Sequence, residues 1–183
     1  MSVAPRNNMV ICIAGNRGRG KTDFTKSLIE RQKKNFDKTI IVDTFDSPPW
    51  RNMMSYYNPA GINDIVHRLP IEKLPYIKRG IYRLFGSDMR HIQRMIEHYV
   101  YNTFVIYEDA TKFIGSKLTE EFKRFVYDTK QKGIDIVFIF HSISAIPPDL
   151  IRCSDGLILF QTGEKFSQVK SKVGHVPGIE KAM

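Results

Sequence analysis

The sequence predicts an α/β protein with three layers, in which a mainly parallel sheet is covered by helices on both faces. Short apolar, β-branched segments recur along the 183-residue chain and alternate with segments that have the spacing of amphipathic helices. The apolar segments are continuous rather than alternating with polar residues, as expected of parallel strands that are buried on both sides. The length suits one domain with a sizeable core.

The first half of the chain contains three predicted strands, 9–15, 38–45 and 79–86. Its two predicted helices are 22–34 and 87–102. In the second helix one apolar stripe is predicted to be buried, and Ser87 or Asp88 can cap the first turn. The stripe consists of Ile92, Met95, Ile96, Tyr99 and Val100. Prolines break regular structure in 46–53 and restrict 70–75 to a short helix, and most of 56–74 has no clear pattern.

The second half repeats the alternation of strand and helix. The predicted strands are 103–110, 135–142 and 156–163, and 145–155 is predicted to be a turn with at most one helical turn. A helix opens at Thr119, carries acids in its first turn and lysines in its last, and stops at Gly133. Phe122, Phe125 and Val126 form its buried face. We expect a core domain over 1–164 and a polar, basic tail over 165–183 without assigned structure.

The octet GNRGRGKT occupies residues 15–22 and matches the phosphate-loop pattern G-x-x-x-x-G-K-[ST] at every fixed position. It lies between a predicted strand and a predicted helix, which is the context that the pattern requires. Glycines allow backbone N–H groups to surround phosphate oxygens, and the helix N-terminus favours the same anion. Lys21 is predicted to reach the β- and γ-phosphates, and Thr22 to place its hydroxyl on Mg²⁺. The predicted nucleotide-binding residues are Gly15, Asn16, Arg17, Gly18, Arg19, Gly20, Lys21 and Thr22.

Polar residues end two later strands, where ligands of parallel sheets bind. Glu108 and Asp109 follow a run of five strand residues, and we assign Glu108 to the metal and Asp109 to the attacking water. The two roles are interchangeable at this stage, and Asp43 is a reserve candidate. His141 ends a strand expected beside the loop strand, where it can contact the γ-phosphate or the attacking water and report hydrolysis.

The net charge of +9 suggests a polyanionic partner such as double-stranded or single-stranded DNA. The densest basic stretch is His67–Arg94, and the turn Asp46–Arg51 is a second candidate for contacts with phosphates. No apolar run approaches the ~20 residues of a membrane span and no signal-peptide pattern opens the chain, so we expect a cytoplasmic protein without a membrane partner. Cys12 and Cys153 are expected to be free thiols.

The chain resembles P-loop ATPases of the FtsK/HerA kind, including Zot-like and viral genome-packaging ATPases. Four pieces carry the resemblance in order: GNRGRGKT, FVIYEDA, VFIFHS and IPPDLIRCSDGLILF. The resemblance implies a RecA-like core, an ATP and Mg²⁺ site, and a ring of subunits, a hexamer or pentamer, that moves DNA. It also implies an arginine donated by a neighbouring subunit. Arg152 is the first candidate, with Arg124, Arg90 and Arg94 as alternatives.

One departure concerns the acidic strand, because the family usually has Asp then Glu where this chain has Glu108 then Asp109. The shorter Asp109 side chain suggests slow hydrolysis. Two other functions remain open on the same loop. The first is a small-molecule kinase, for which Arg90 and Arg94 would form a lid, and the second is a switch module that binds nucleotide without hydrolysing it.

Overall fold

The computed structural model describes residues 8–43, 45–51, 53–54 and 66–182. Within these ranges the chain forms one sheet of seven parallel strands in the order β3-β4-β2-β5-β6-β1-β7. The strands are β1 (Val10–Ala14), β2 (Lys38–Asp43), β3 (Val66–Leu69), β4 (Gly80–Leu84), β5 (Thr103–Glu108), β6 (Asp135–Phe140) and β7 (Gly156–Leu159). The predicted parallel α/β sheet is confirmed.

Helices connect the strands and cover the sheet. They are α1 (Lys21–Gln32), α2 (Met89–Tyr99), α3 (Glu120–Lys132), α4 (Pro148–Cys153), α5 (Phe166–Val173) and α6 (Ile179–Ala182). The predicted caps are present: Asp88 accepts a hydrogen bond from the His91 N–H at 3.0 Å, and Thr119 accepts one from the Phe122 N–H at 3.2 Å. Gly133 ends α3 in the left-handed conformation with φ 67°. No described helix combines the length and apolar character that crossing a membrane requires.

The alternation of side chains along the strands divides the core into two clusters, one on each face of the sheet. On one face, Ile13, Ile41 and Ile106 pack with Ile29 of α1. The opposite face is larger and is covered by α2, α3, α4 and α5, with the Tyr107 and Phe138 rings stacked at a centroid distance of 5.1 Å. The three predicted layers are therefore present.

The structure departs from the expected elements at three places. The edge strand β3 was not predicted, because His67 and Arg68 are exposed and the strand carries no apolar alternation. Residues 56–65 of the unassigned segment lie outside the described residues. Tyr99 was predicted to be in the core stripe of α2 but is 42% exposed, and it is the last residue of the helix.

The segment after residue 164, expected to be a polar tail, contains α5 and α6. Val169, Val173 and Ile179 are buried in the same cluster as α2 and α3. Phe166, Val169 and Val173 have helical spacing, but α5 has only eight residues and is followed by Gly174, so the repeat was too short to be assigned from the sequence. The boundary between a domain over 1–164 and a segment over 165–183 stays a prediction.

The strand order brings the polar strand ends to one edge of the sheet. β1 pairs with β6 on one side and β7 on the other, and β6 pairs in turn with β5. The strand that ends before His141 therefore lies directly beside the strand that leads into the phosphate loop, as predicted. Because all strands are parallel, their carboxyl ends meet at the same edge.

Candidate nucleotide-binding site

Residues 15–20 form the turn that connects β1 to α1. Gly18 and Gly20 have φ of 70° and 84°, a left-handed conformation that glycine adopts without steric cost. At Gly15 the constraint is space, because a Cβ atom there would lie 2.6 Å from the Phe160 Cβ atom. The Asn16 N–H donates to the Gln161 carbonyl oxygen at 3.0 Å, which ties the loop to the segment after β7. Each glycine of this turn thus has a stereochemical role.

Lys21 begins α1 and folds back over the loop. Its Nζ donates to the carbonyl oxygens of Gly15 at 2.6 Å and Asn16 at 2.9 Å, and the residue is only 6% exposed. Burial lowers the pKa of the ammonium group, and the carboxylate of Glu108 opposes that shift. The geometry holds a cation at the centre of the loop, where a phosphate oxygen can take the place of a carbonyl partner.

A cleft of about 460 Å³ opens above the loop at the carboxyl edge of the sheet. It brings together most of the predicted nucleotide-site residues with several that the sequence did not indicate. The lining residues are Arg17, Gly18, Arg19, Gly20, Lys21, Thr22, Asp23, Phe45, Ser47, Pro49, Glu108, Asp109 and His141. Phe45, Ser47 and Pro49 come from the segment after β2, which lies against the cleft because β2 pairs with β5.

Glu108 ends β5 inside the cleft. Its Oε2 oxygen is buried and has no hydrogen-bond partner among the described residues. Burial raises the pKa of the carboxyl from 4.5 to about 7, and the negative charges of Asp43 and Asp109 act in the same direction. The side chain of Trp50 and the ammonium of Lys21 oppose the shift. A buried carboxylate oxygen without a partner is the kind of ligand atom that a hard cation prefers.

Asp109 follows Glu108 in a left-handed backbone conformation with φ 53° and ψ 62°. Non-glycine residues rarely adopt this conformation, and when they do they are often at functional sites. The Oδ1 oxygen accepts a hydrogen bond from Thr111 and lies 3.9 Å from His141 Nε2, while Oδ2 lies 3.6 Å from Lys112 Nζ. The turn therefore aims the carboxylate across the cleft toward His141.

The ring of His141 lies across the cleft from Asp109 and is 36% exposed. Its Nδ1 atom is buried and has no hydrogen-bond partner among the described residues. Burial lowers the pKa of the imidazole, the carboxylate of Asp109 opposes the shift, and Lys21 and Arg17 reinforce it. At neutral pH the ring is therefore mostly neutral, so one ring nitrogen can donate a hydrogen bond and the other can accept one.

The reserve acid, Asp43, is fully occupied by structural contacts. Its carboxylate accepts hydrogen bonds from the Phe45 N–H at 3.2 Å, the Ser47 N–H at 2.6 Å and the Ser47 hydroxyl at 2.9 Å. The buried guanidinium of Arg83 lies 3.9 Å away and also pairs with Asp46. Asp43 thus shapes the segment that lines the cleft rather than facing a ligand.

The candidate arginines lie away from the cleft. Arg152, on α4, is 68% exposed and pairs with Asp149 at 3.2 Å. Arg90 and Arg94 line a separate hollow of about 350 Å³ with Asp88 and His91. Arg124 lines a third hollow, next to Phe125 and Lys132. None of the four is among the residues that line the described cleft, so a role in the reaction requires donation to another subunit.

No protein-family model matches the sequence, and no curated protein matches it significantly. Comparison with solved structures does find similar folds. The genome-packaging NTPase B204 from Sulfolobus turreted icosahedral virus 2, in complex with sulfate, aligns with a TM-score of 0.72 and 13% identity. That alignment covers 96% of this chain and 86% of B204. B204 in complex with ATPγS aligns with a TM-score of 0.69 over 98% of this chain and 87% of that one, also at 13% identity.

A second fold neighbour is the cytoplasmic domain of EssC, with a TM-score of 0.55 and 16% identity. The alignment covers 92% of this chain and 34% of the chain in the EssC structure, so this chain spans about a third of the length of that domain structure. The predicted resemblance is confirmed for the fold, which is similar to the folds of the viral genome-packaging NTPase B204 and of the cytoplasmic domain of EssC.

Proposed function

We propose that this protein is an ATP-hydrolysing motor that packages or translocates DNA. The observation that carries the proposal is the convergence of Lys21, Glu108, Asp109 and His141 on one cleft beside a complete phosphate loop. The fold is similar to that of the DNA-packaging ATPase B204, which supports this class of function. The net charge of +9 suits a protein that works on a polyanion.

Binding of ATP is assigned to the loop residues Gly15 to Thr22. Lys21 and the N–H groups at the start of α1 are placed to hold the phosphate oxygens. Arg17 and Arg19 line the mouth of the cleft and add positive charge there. Hydrolysis by such sites depends mainly on positioning and on charge stabilisation, so a preformed cradle is a large part of the chemistry.

Thr22 and Glu108 are the residues that would hold Mg²⁺. Both line the cleft, and the buried Oε2 oxygen of Glu108 has no partner among the described residues, so the oxygen donors fit a hard cation. When bound, the ion neutralises charge on the phosphate oxygens. Asp109 would accept a proton from the attacking water. The neutral His141 ring, whose Nε2 atom lies 3.9 Å from the Asp109 Oδ1 oxygen, would respond to the change in charge on that carboxylate.

The resemblance also implies a ring, a hexamer or pentamer, in which a neighbouring subunit supplies an arginine. Arg152 suits that part because it is exposed and is held by Asp149 on a short helix. Arg124, Arg90 and Arg94 are the alternatives. DNA-contacting residues are proposed within His67–Arg94 and Asp46–Arg51, and the site of action is proposed to be the cytoplasm of a host cell.

The test is the rate of ATP hydrolysis with and without double-stranded DNA, measured together with the mass of the protein in solution. We expect hydrolysis by an oligomer, stimulated by DNA, with the stimulation falling steeply between about 50 and 200 mM salt. Lys21→Ala should abolish hydrolysis, whereas Lys117→Ala, which changes an exposed lysine outside the cleft, should not. Hydrolysis that is indifferent to DNA in every oligomeric state would contradict the motor. Tight ATP binding without hydrolysis would favour a switch module.

A further inference from the structure

The loop that follows β6 is held by two charged residues of the C-terminal segment. Glu164 accepts hydrogen bonds from the backbone N–H groups of Ile143 at 2.7 Å and Ser144 at 2.9 Å, one on each carboxylate oxygen. Lys172 of α5 donates to the carbonyl oxygens of Ser144 and Ile146. The carboxylate of Glu164 thus accepts hydrogen bonds from N–H groups of this loop, and the ammonium of Lys172 donates to its carbonyl oxygens. Both kinds of contact are charge-assisted.

This loop determines where His141 lies. His141 is the first residue of this loop, and Ile143 and Ile146 anchor the loop with side chains that are fully buried. The imidazole itself has little to hold it, because Nδ1 has no partner among the described residues and Nε2 is 3.9 Å from Asp109. The position of the ring therefore depends on the backbone that carries it, and Glu164 binds that backbone two and three residues away.

Glu164 also ends a segment that contacts the phosphate loop. The Phe160 N–H donates to the Ala14 carbonyl at 2.8 Å, and the Gln161 carbonyl accepts from the Asn16 N–H at 3.0 Å. Residues 160–164 consequently connect the start of the phosphate loop with the loop after β6.

We propose that Glu164 is a positioning residue that holds His141 at the cleft through the backbone of Ile143 and Ser144. The inference rests on the proposed function, because it assigns His141 a role in hydrolysis. It adds a residue outside the cleft, from a part of the chain that has no nucleotide-binding motif. Glu164 acts on the rate of the reaction rather than on the affinity for ATP, since it contacts neither the cradle nor Lys21.

The experiment is a double-mutant cycle of Glu164→Gln and His141→Ala, read as kcat and KM for ATP hydrolysis. Gln keeps the size of the side chain but replaces one acceptor oxygen with a donor. Loss of one charge-assisted hydrogen bond is expected to lower kcat about tenfold and to leave KM within about twofold. In the His141→Ala background the same change should lower kcat by less than about twofold, because the residue being positioned is gone. Glu180→Gln, on the exposed face of α6, is the matched control and should change nothing.

A second readout is amide hydrogen exchange of Ile143 and Ser144, which should be faster in Glu164→Gln and unchanged in Glu180→Gln. The proposal is overturned if Glu164→Gln lowers kcat equally in both backgrounds, if KM rises as much as kcat falls, or if kcat stays the same. A wild-type protein that hydrolyses no ATP would overturn the proposed function and the positioning role of Glu164 together. Unchanged exchange at the two amides in an active enzyme would overturn the role of Glu164 alone.

Discussion

Asp43 and Glu108 are paired in register at the carboxyl ends of β2 and β5, but their carboxylates differ in hydrogen bonding. Asp43 is saturated by three hydrogen bonds from Phe45 and Ser47 and lies near the guanidinium of Arg83. Glu108 has a buried oxygen without a partner among the described residues. One acid therefore stabilises the wall of the cleft, and its neighbour is left available for a ligand.

Glu108→Gln is expected to abolish hydrolysis and to stabilise the folded protein at pH 8. Burial raises the pKa of the carboxyl from 4.5 to about 7. Between these values the folded chain binds more protons than the unfolded chain, so the free energy of unfolding falls as the pH rises. Gln cannot ionise, and the gain should be about 1–3 kcal/mol at pH 8 and much smaller at pH 5. Urea unfolding without nucleotide or metal measures it.

The control for that change is Glu72→Gln, which alters an exposed glutamate and should affect stability equally little at both pH values. A Glu108→Gln protein that is no more stable than wild type at pH 8 would contradict the burial of the Glu108 carboxyl in the nucleotide-free protein.

Asp43→Asn should destabilise the protein. The amide that replaces one oxygen is a donor placed against donors, because every recorded partner of Asp43 is an N–H, a hydroxyl or a cation. The loss of these buried bonds is expected to cost about 2–4 kcal/mol in the free energy of unfolding, measured with urea. Equal stability of Asp43→Asn and wild type would contradict the assigned structural role.

Gly15→Ala and Gly18→Ala form a matched pair within the phosphate loop. A Cβ atom at Gly15 collides with Phe160, whereas one at Gly18 meets nothing within 4 Å and faces only the strain of φ 70°. We expect Gly18→Ala to cost about 1–2 kcal/mol and Gly15→Ala to cost more, because the segment after β7 must also move. Thermal unfolding ranks the two, and a larger cost at Gly18 would contradict the close approach at Gly15.

The two thiols should differ sharply in reactivity. Cys12 is fully buried in β1, and burial raises the pKa of its thiol to about 12. Cys153 is half-buried at the end of α4. At pH 8 a thiol reagent should therefore label the folded protein once, at Cys153, and twice after unfolding. Cys153→Ser should leave the folded protein unlabelled, and rapid labelling of Cys12 would contradict its burial.

Local sequence patterns were sufficient where a segment has a clear apolar run or helical periodicity, or where it matches a known loop motif. The phosphate loop, the buried strands and the capped helices α2 and α3 could all be placed from spacing, glycines and capping residues. β3, α5 and α6 could not, because they have only four, eight and four residues, which is too short for a repeat of apolar residues to be distinguished from chance. The apolar face of α5 becomes recognisable only when it packs on the core.

The nucleotide-binding loop, the parallel sheet and the acids at the strand ends were thus determined by the sequence alone, since each follows from residues adjacent along the chain. Tertiary structure decided which acid is available and what holds His141. Asp43 and Glu108 look alike as acids at strand ends, and Glu164 lies about twenty residues from the N–H groups it binds. Such partnerships depend on which strands pair and how side chains pack, and these long-range contacts leave no local periodicity in the sequence.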